Sequence, residues 1–446
     1  MKQYDNILIV GSGGREHSIG WKLSNDTKKK VFFAPGNGGT EKNVEIDSDD
    51  IMKLFEFAKK NNSFTIVGPE KPLSLGIVDL FEEGQLPIFG PNRNASRLES
   101  SKVFAKLFMR NMGIQTASFS IFSDPKSAIK HVHSSSKNVV VKVDGLAAGK
   151  GVFVCDNGKE ATEAIHKIFV NNEFRNSGNK IVIEERIYGD EASFIALCDG
   201  KSIIPLASSQ DHKNILDGDK GPNTGGMGSY SPTPLITENL SNKIMEKIMQ
   251  PTIKGLNELG IKFKGFLYAG LMIERGSNEP YVLEFNVRMG DPECQSILSR
   301  MDSNLLYYLE AAMDEKLESM PPIKWKNKHS VCVVMASKGY PGKYQSGKVI
   351  HGLDFNPDND TYVLHSGTKK NDTYVFHSGT KKNSRGEILT NGGRVLSVTS
   401  LGDTLEGAKN RSYSVVSQIH WGENEEYYRK DIALKGIKYM SPSFSN

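Results

Sequence analysis

Three features of the chain predict a multidomain protein of mixed α/β and α+β class. Strand and helix alternate through the amino-terminal part, as in a doubly wound sheet. Antiparallel strands flank a glycine-rich loop in the middle of the chain, and paired prolines precede a small strand-rich carboxy-terminal domain. At 446 residues the chain exceeds what one hydrophobic core can serve, so about two to four domains are expected.

The elements follow in order. Ile7 to Val10 reads as a buried parallel strand, Gly11-Ser12-Gly13-Gly14 as a turn, and Arg15 to Leu23 as a helix. Val31 to Ala34 and Phe64 to Val67 are further strands around a helical Ile51 to Lys60, which makes residues 1–101 a small doubly wound domain. A helix near Ser101 to Met112 leads to strands Val139 to Val143 and Val152 to Val154. With a helix over Ala161 to Val170 and a strand over Ile181 to Ile183 these form a second module, 102–190. Ala192 to Cys198, the Asp199-Gly200 turn and Ser202 to Leu206 read as a hairpin. A helix near Lys243 to Glu258 and strands Leu267 to Ile273 and Tyr281 to Val287 complete a third module, 191–324. Pro321-Pro322-Ile323-Lys324 is a linker, and strands from Ser330 and Gly393 open a final domain, 325–446. That domain carries a tandem duplication, NDTYVLHSGTKK at 359–370 and NDTYVFHSGTKK at 371–382; each copy suits one strand opened by an Asn-Asp turn.

Composition is that of a soluble globular protein: 38% hydrophobic, 24% charged and a net charge of +4, too dilute for a nucleic-acid-binding stripe. Cys155, Cys198, Cys294 and Cys332 are widely spaced, which excludes the usual zinc and redox pairs and suggests isolated buried thiols. The amino-terminal apolar run is too short for a signal peptide and no stretch approaches a membrane span, so a cytoplasmic protein is expected.

The richest chemistry lies in Tyr281 to Glu293. Side chains alternate along a strand, so Glu284, Asn286 and Arg288 share one face, with Leu283, Phe285 and Val287 on the other. A carboxylate and an amide oxygen are hard donors of the kind Mg²⁺ prefers, and an Arg fork suits a nearby phosphate or carboxylate. An amphipathic strand with a merely solvated polar face would show the same alternation. Gly11 to Gly14 suits an anion at a helix start, but no acidic residue ends the next strand and the dinucleotide fingerprint is incomplete. Lys142, set among valines, is costly unless paired, and Asp144 to Gly151 beside it could lay backbone donors over phosphates; a tight hairpin with a solvent-facing lysine is the alternative. Ile181 to Ile187 could read an adenine edge through its main chain. Gln210 to Lys213 and Gly221 to Gly228 are polar, glycine-rich loops, and His212 lacks partners at metal-ligand spacing.

Taken together, KVDGLAAGKGV at Lys142 to Val152, QDHK at Gln210 to Lys213, GPNTGGMGSYSP at Gly221 to Pro232 and LEFNVRMGDPE at Leu283 to Glu293 resemble the phosphoribosylamine–glycine ligases. VGPEKPLSLGIVD at Val67 to Asp79 and TNGGRVLSVTSLG at Thr390 to Gly402 extend the likeness over nearly the whole chain. The resemblance implies an ATP-grasp fold and ATP-driven joining of glycine to 5-phosphoribosylamine in purine biosynthesis, through a glycyl phosphate. It implies ATP and Mg²⁺, with Mn²⁺ as an alternative ion, as cofactors, and small-molecule substrates in a monomer or weak homodimer, with no nucleic acid and no membrane. By the same likeness Lys102 and Lys142 would hold ATP phosphates, Glu184, Glu185 and Ile187 adenine, and Glu191 the ribose, with Gly149, Lys150 and Lys213 also binding ATP. Glu284 and Asn286 would bind the metal. Gly13, Arg15, Glu16 and Glu70 would hold phosphoribosylamine; Asp211, Gly225, Gly226, Arg288 and Asp291 would lie near glycine and the transferred phosphate. Arg288, Lys142 and Asp211 would be the catalytic groups. Other ATP-grasp carboxylate–amine ligases, biotin-dependent carboxylase subunits and non-catalytic nucleotide-binding proteins are the rival readings. Two departures stand out: Asn214 replaces the arginine usual after QDHK, and the duplication obscures which copy holds the family position. The second copy runs directly into Asn383 to Gly386 and TNGGRV, which favours it.

Overall fold

The computed structural model describes residues 3–147, 151–171, 180–353 and 372–441. Its first sheet is parallel, ordered Lys30–Pro35, Asn6–Gly11, Ser63–Val67, Ile88–Phe89. The central strand is apolar because both faces are covered, and Ile7, Leu8, Ile9 and Val10 are fully buried. The helix Gly14–Asp26 follows at once, so its amino terminus opens at the carboxyl edge of the sheet.

The small module is antiparallel, ordered Phe119–Phe122, Ile181–Glu185, Val139–Val143, Val152–Cys155. Helices Pro125–Ser134 and Gly158–Phe169 pack on it through Ala128, Val132, Ala161 and Ile165. The helix Lys102–Asn111 is tied to this module at its start. Ser101 caps it, accepting from Phe104 N at 3.1 Å, and Asp144, beside the glycine-rich turn, accepts from Val103 N at 3.1 Å. Such a cap stabilises a helix by about 1 kcal/mol.

The large module holds a second antiparallel sheet, Ile203–Pro205, Gly189–Asp199, Lys264–Glu274, Pro280–Asn286. Its neighbouring helical segment is less regular than expected: Glu238–Ile244, one π turn over Met245–Met249, then Gln250–Glu258. Pro251, which lacks an N–H and crowds the preceding turn, accounts for the widening.

The carboxy-terminal sheet reaches back across the linker. Gln210–Asp211 and Gly228–Ser231, both from the 191–324 segment, pair in series with His329–Ser337, Arg394–Gly402 and Thr373–His377. The glycine-rich loops of the middle of the chain are therefore fixed by the last domain. The second repeat copy supplies the edge strand Thr373–His377, opened by Asp372 in the left-handed conformation at φ 58°. The first copy lies outside the described residues. All four cysteines are free and buried. Among the described residues no helix is long and apolar enough to cross a membrane.

Candidate active site

The site grows from the Pro280–Asn286 strand, and one local irregularity sets its geometry. Pairing with Lys264–Glu274 runs Gly270 to Glu284 and then Leu271 to Val282, so Leu283 is an extra residue bulged out of register. This corrects the simple alternation expected there: Val282, Phe285 and Val287 enter the core, while Leu283 is only half-buried. Beyond the bulge Glu284 and Asn286 stand two residues apart at the strand's end, and Arg288, just past it, reaches back to the Asn286 amide. The freed Leu283 carbonyl accepts a hydrogen bond from Lys142 Nζ at 2.9 Å.

Lys142 is buried and paired, not solvent-facing. Its ammonium lies 3.0 Å from Glu184, whose other oxygen lies 3.0 Å from Lys106 Nζ. Burial pushes the Lys106 ammonium down to about 8 against the pull of Glu184. Glu184, next to last in its strand, is thus buried between two lysines and not solvated. Glu185 projects to the rim, where Lys137 holds it at 2.5 Å, and its N–H donates to the Ser118 carbonyl at 2.9 Å. Ile187 is half-buried just beyond the strand. Lys102 Nζ donates to the Gly145 carbonyl at 3.0 Å, which sets it beneath the glycine-rich turn. Burial lowers its affinity for a proton, and Glu284 opposes that. Gly149 and Lys150 lie outside the described residues.

Glu284 faces this positive wall. Burial alone would raise its pKa, but Lys213, Lys142 and Lys102 together hold it down to about 2, so the carboxylate is firmly ionised. Lys213 Nζ stands 3.5 Å from Glu284 and 3.3 Å from Glu191. Among the described residues no group of three or more His, Cys, Asp or Glu side chains is set to hold a metal ion. Glu284 and Asn286 are nonetheless hard oxygen donors, and Mg²⁺ is typically held by few carboxylates while phosphates and water complete its shell.

Arg288 has the opposite surroundings. Its Nη2 meets Glu99 at 2.7 Å and Asn286 Oδ1 at 3.1 Å, and its Nε meets Glu70 at 3.3 Å. Burial works against the guanidinium charge, yet Glu99 and Glu70 raise its hold on the proton. Burial pushes Glu99 up to about 7, with Arg288 working against the shift. For Glu70 the order reverses, since Arg288 and Arg15 overcome burial and keep it low.

Asp211 ends its short strand under Gly226, which has φ +112°; a Cβ there would come within 2.8 Å of the Asp211 carboxylate. Burial, then the charge of Glu293, raises the Asp211 pKa well above the usual range. Glu293 itself is buried and accepts from Tyr268 OH at 2.6 Å and Ser193 Oγ at 3.0 Å. Arg394, from the last domain, locks this corner. Its Nη1 donates to the carbonyls of Gly225 at 2.7 Å and Asp291 at 2.6 Å, and its Nη2 lies 3.4 Å from the Asp291 carboxylate. Although burial opposes it, Arg394 with Arg15 keeps Asp291 ionised.

Asp291 also reaches the amino-terminal domain. A side chain at Gly13 would strike Glu16 at 2.6 Å and crowd Asp291 at 3.1 Å. Arg15 and Glu16 are buried, not exposed in a first helical turn. Glu16 accepts from Gly13 N at 2.6 Å and pairs with Arg15 at 2.5 Å, while Arg15 Nη1 donates to the Met289 carbonyl at 3.1 Å. The Glu16 carboxylate is therefore engaged in closing its own helix.

Four residues at the site escaped sequence reasoning. Lys106 repeats Lys102 at i+4, a spacing that puts both on one helix face and could have revealed it. Arg394 and Glu293 lie inside motifs whose neighbours drew notice. Glu99, in the short helix Arg97–Ser100, has no local signal.

A small lid-like module and a larger antiparallel module that meet over a ring of lysines and a hard-donor strand define an ATP-grasp protein. The sequence comparisons place it further. Residues 5–99, 100–294 and 330–435 match the N, ATP-grasp (A) and C domains of phosphoribosylglycinamide synthetase. The chain is 44% identical to the phosphoribosylamine–glycine ligase of Pseudomonas aeruginosa, covering 97% of this chain and 98% of that one. It is likewise 44% identical to that of Escherichia coli K12, covering 97% and 99%. The crystal structure of phosphoribosylamine–glycine ligase from Thermotoga maritima superposes with a TM-score of 0.80 at 32% identity, over 96% of this chain and 99% of that one. A biotin carboxylase from Campylobacter jejuni, 15% identical with a TM-score of 0.70 over 99% of this chain and 96% of that one, shares the fold alone. The chain belongs to the phosphoribosylamine–glycine ligase family.

Proposed function

We propose a division of labour in which the lysine wall receives the triphosphate, Glu284 and Asn286 hold Mg²⁺, and the Arg288 corner receives glycine. Family membership makes the chain an ATP-dependent ligase of glycine in purine biosynthesis. The observation that carries the finer reading is Glu284, a carboxylate kept ionised among three lysines with Asn286 two residues along the same face.

The reaction needs no side-chain nucleophile. A carboxylate oxygen of glycine attacks the γ-phosphorus of ATP, the bond to the bridging oxygen breaks, and ADP leaves with that electron pair. The amine of phosphoribosylamine then attacks the acyl carbon of glycyl phosphate, and inorganic phosphate departs as the amide forms and the nitrogen loses a proton. When bound, Mg²⁺ supplies charge neutralisation at the phosphates. Lys142 and Lys102 contribute positive charge from preformed positions, which costs no reorganisation during transfer. Arg288 orients the glycine carboxylate; Asp211, with Glu293 behind it, faces the glycine end beside the Gly225–Gly226 turn. Gly13, Arg15 and Glu70 bind phosphoribosylamine across the domain boundary. Glu185 and Ile187 present main chain to adenine, and Glu191 its carboxylate to the ribose. Closure over these groups keeps water from the acyl phosphate.

ADP release measured with freshly generated phosphoribosylamine tests the reading. Release should depend on glycine and fall to background with alanine or serine. Release that is indifferent to the amino acid, or that persists without phosphoribosylamine at the full rate, would favour a different ATP-grasp ligase.

A further inference from the structure

Resting on the reading of Glu284 and Asn286 as cation ligands, we propose that Glu99 is a positioning residue for that cation. It holds Arg288 against the strand end and gives the guanidinium a carboxylate partner, so that the Asn286 amide oxygen, which accepts from Arg288 Nη2, can pass to the cation.

Three distances carry this assignment. One Glu99 oxygen accepts from the main-chain N–H of Val287 at 2.8 Å, the residue between Asn286 and Arg288. The other meets Arg288 Nη2 at 2.7 Å. A single side chain from another element therefore grips both the backbone immediately after Asn286 and the side chain two residues on. The same Nη2 lies 3.1 Å from Asn286 Oδ1. A cation that binds this oxygen must take it from a guanidinium of like charge. With no carboxylate on Nη2, Arg288 would keep the amide oxygen and repel the ion. Glu70 engages Nε at 3.3 Å, so Glu99 is the carboxylate that meets Nη2, the nitrogen that also holds Asn286.

Burial strengthens the case. The Glu99 side chain is 7% exposed, and a carboxylate taken that far from water is destabilising unless its partners are well aligned. It stands beside Val287, 1% exposed, where an apolar side chain would pack without such a penalty.

The test is ADP binding by calorimetry on the full chain, once with Mg²⁺ and once with EDTA. Mg²⁺ should tighten ADP binding in the wild type. Glu99→Gln is isosteric and keeps an acceptor for Val287 N–H, but it removes the charge facing Arg288. It should lose about tenfold of the Mg²⁺-dependent gain, the size expected when the partner of a ligand is removed. Its affinity in EDTA should stay within about twofold of wild type. An equal loss with Mg²⁺ and with EDTA is what a merely structural role gives, and that result or an unchanged gain would overturn the assignment. Glu99→Asp, which keeps the charge and shortens the reach, is the second arm if the glutamine variant does not fold. Its smaller loss should again be confined to the Mg²⁺ measurement, and an equal loss in EDTA counts against Glu99. Asn286→Ala separates the two readings. If it abolishes the gain while Glu99→Gln retains it, the role of Glu99 alone fails. If Asn286→Ala and Glu284→Gln both keep the full gain, the cation site fails and Glu99 with it.

Discussion

Two buried charge clusters flank the bulged strand, and they are built with opposite polarity. On one side Lys106 and Lys142 share Glu184, each at 3.0 Å. On the other, Glu99 and Glu70 share Arg288 at 2.7 and 3.3 Å. One anion between two cations leaves a positive surplus, and one cation between two anions leaves a negative one. Burial relieves each surplus in part, drawing Lys106 down to about 8 and Glu99 up to about 7. On the reading proposed above, the lysine side receives phosphate oxygens, while on the other side the carboxylates hold Arg288 for the glycine carboxylate. The strand between them carries the groups that must touch both.

The largest effect should come from breaking that strand. Glu284→Gln or Asn286→Ala should cut metal-dependent ADP formation by about three orders of magnitude, on the scale of losing a principal electrostatic group, with unchanged circular dichroism. Near-normal turnover in both would detach the strand from the chemistry. Breaking the lysine side should be milder. Lys142→Ala leaves Glu184 paired with Lys106 and should lower kcat/KM for ATP about a hundredfold. ATP kinetics like those of wild type would mean that the positive surplus is structural.

The carboxylate side can be read by pH. Glu99 has a folded pKa of about 7 against an ordinary 4.5, so between these values the native state binds the extra proton. Its stabilising contribution is full below about pH 4.5 and is lost as pH rises through 7, and at most roughly 3 kcal/mol is at stake. Urea unfolding at pH 5 and at pH 7.5 should show wild type losing more stability over this interval than Glu99→Gln. Equal slopes would place the ionised form of Glu99 at ease in its surroundings. The smallest effect is expected outside both clusters. Deleting 359–370 removes one repeat copy and leaves the one that forms Thr373–His377, so turnover should stay within about twofold. A large loss of activity on this deletion would assign the first copy a part in the enzyme.

Much of this arrangement was legible in the sequence, because alternation and glycine spacing report on one strand or one loop at a time. Glu284, Asn286 and Arg288 were placed on a common face by period alone. Lys142 announced itself as a charge among valines, and pairing duly accompanies its burial. What the sequence could not convey was partnership across modules. Glu99 reaches Arg288 over 189 positions of chain, and Arg394 reaches Gly225 over 169. The bulge at Leu283 was equally hidden, since register belongs to two strands together and not to either one. The place of the Glu184 carboxylate between two lysines from different elements likewise has no local pattern.

The Leu283 carbonyl has a consequence for how this enzyme can vary. It is the group through which the large module grips Lys142 of the small one, and every amino acid carries a carbonyl. The tether is thus written in the main chain, where no side-chain comparison would register it. Residue 283 can drift among many identities while the tether persists. Apart from the loss of Lys142 itself, a change that straightens the bulge would sever it, and such a change can arise from a residue that touches neither lysine nor ligand.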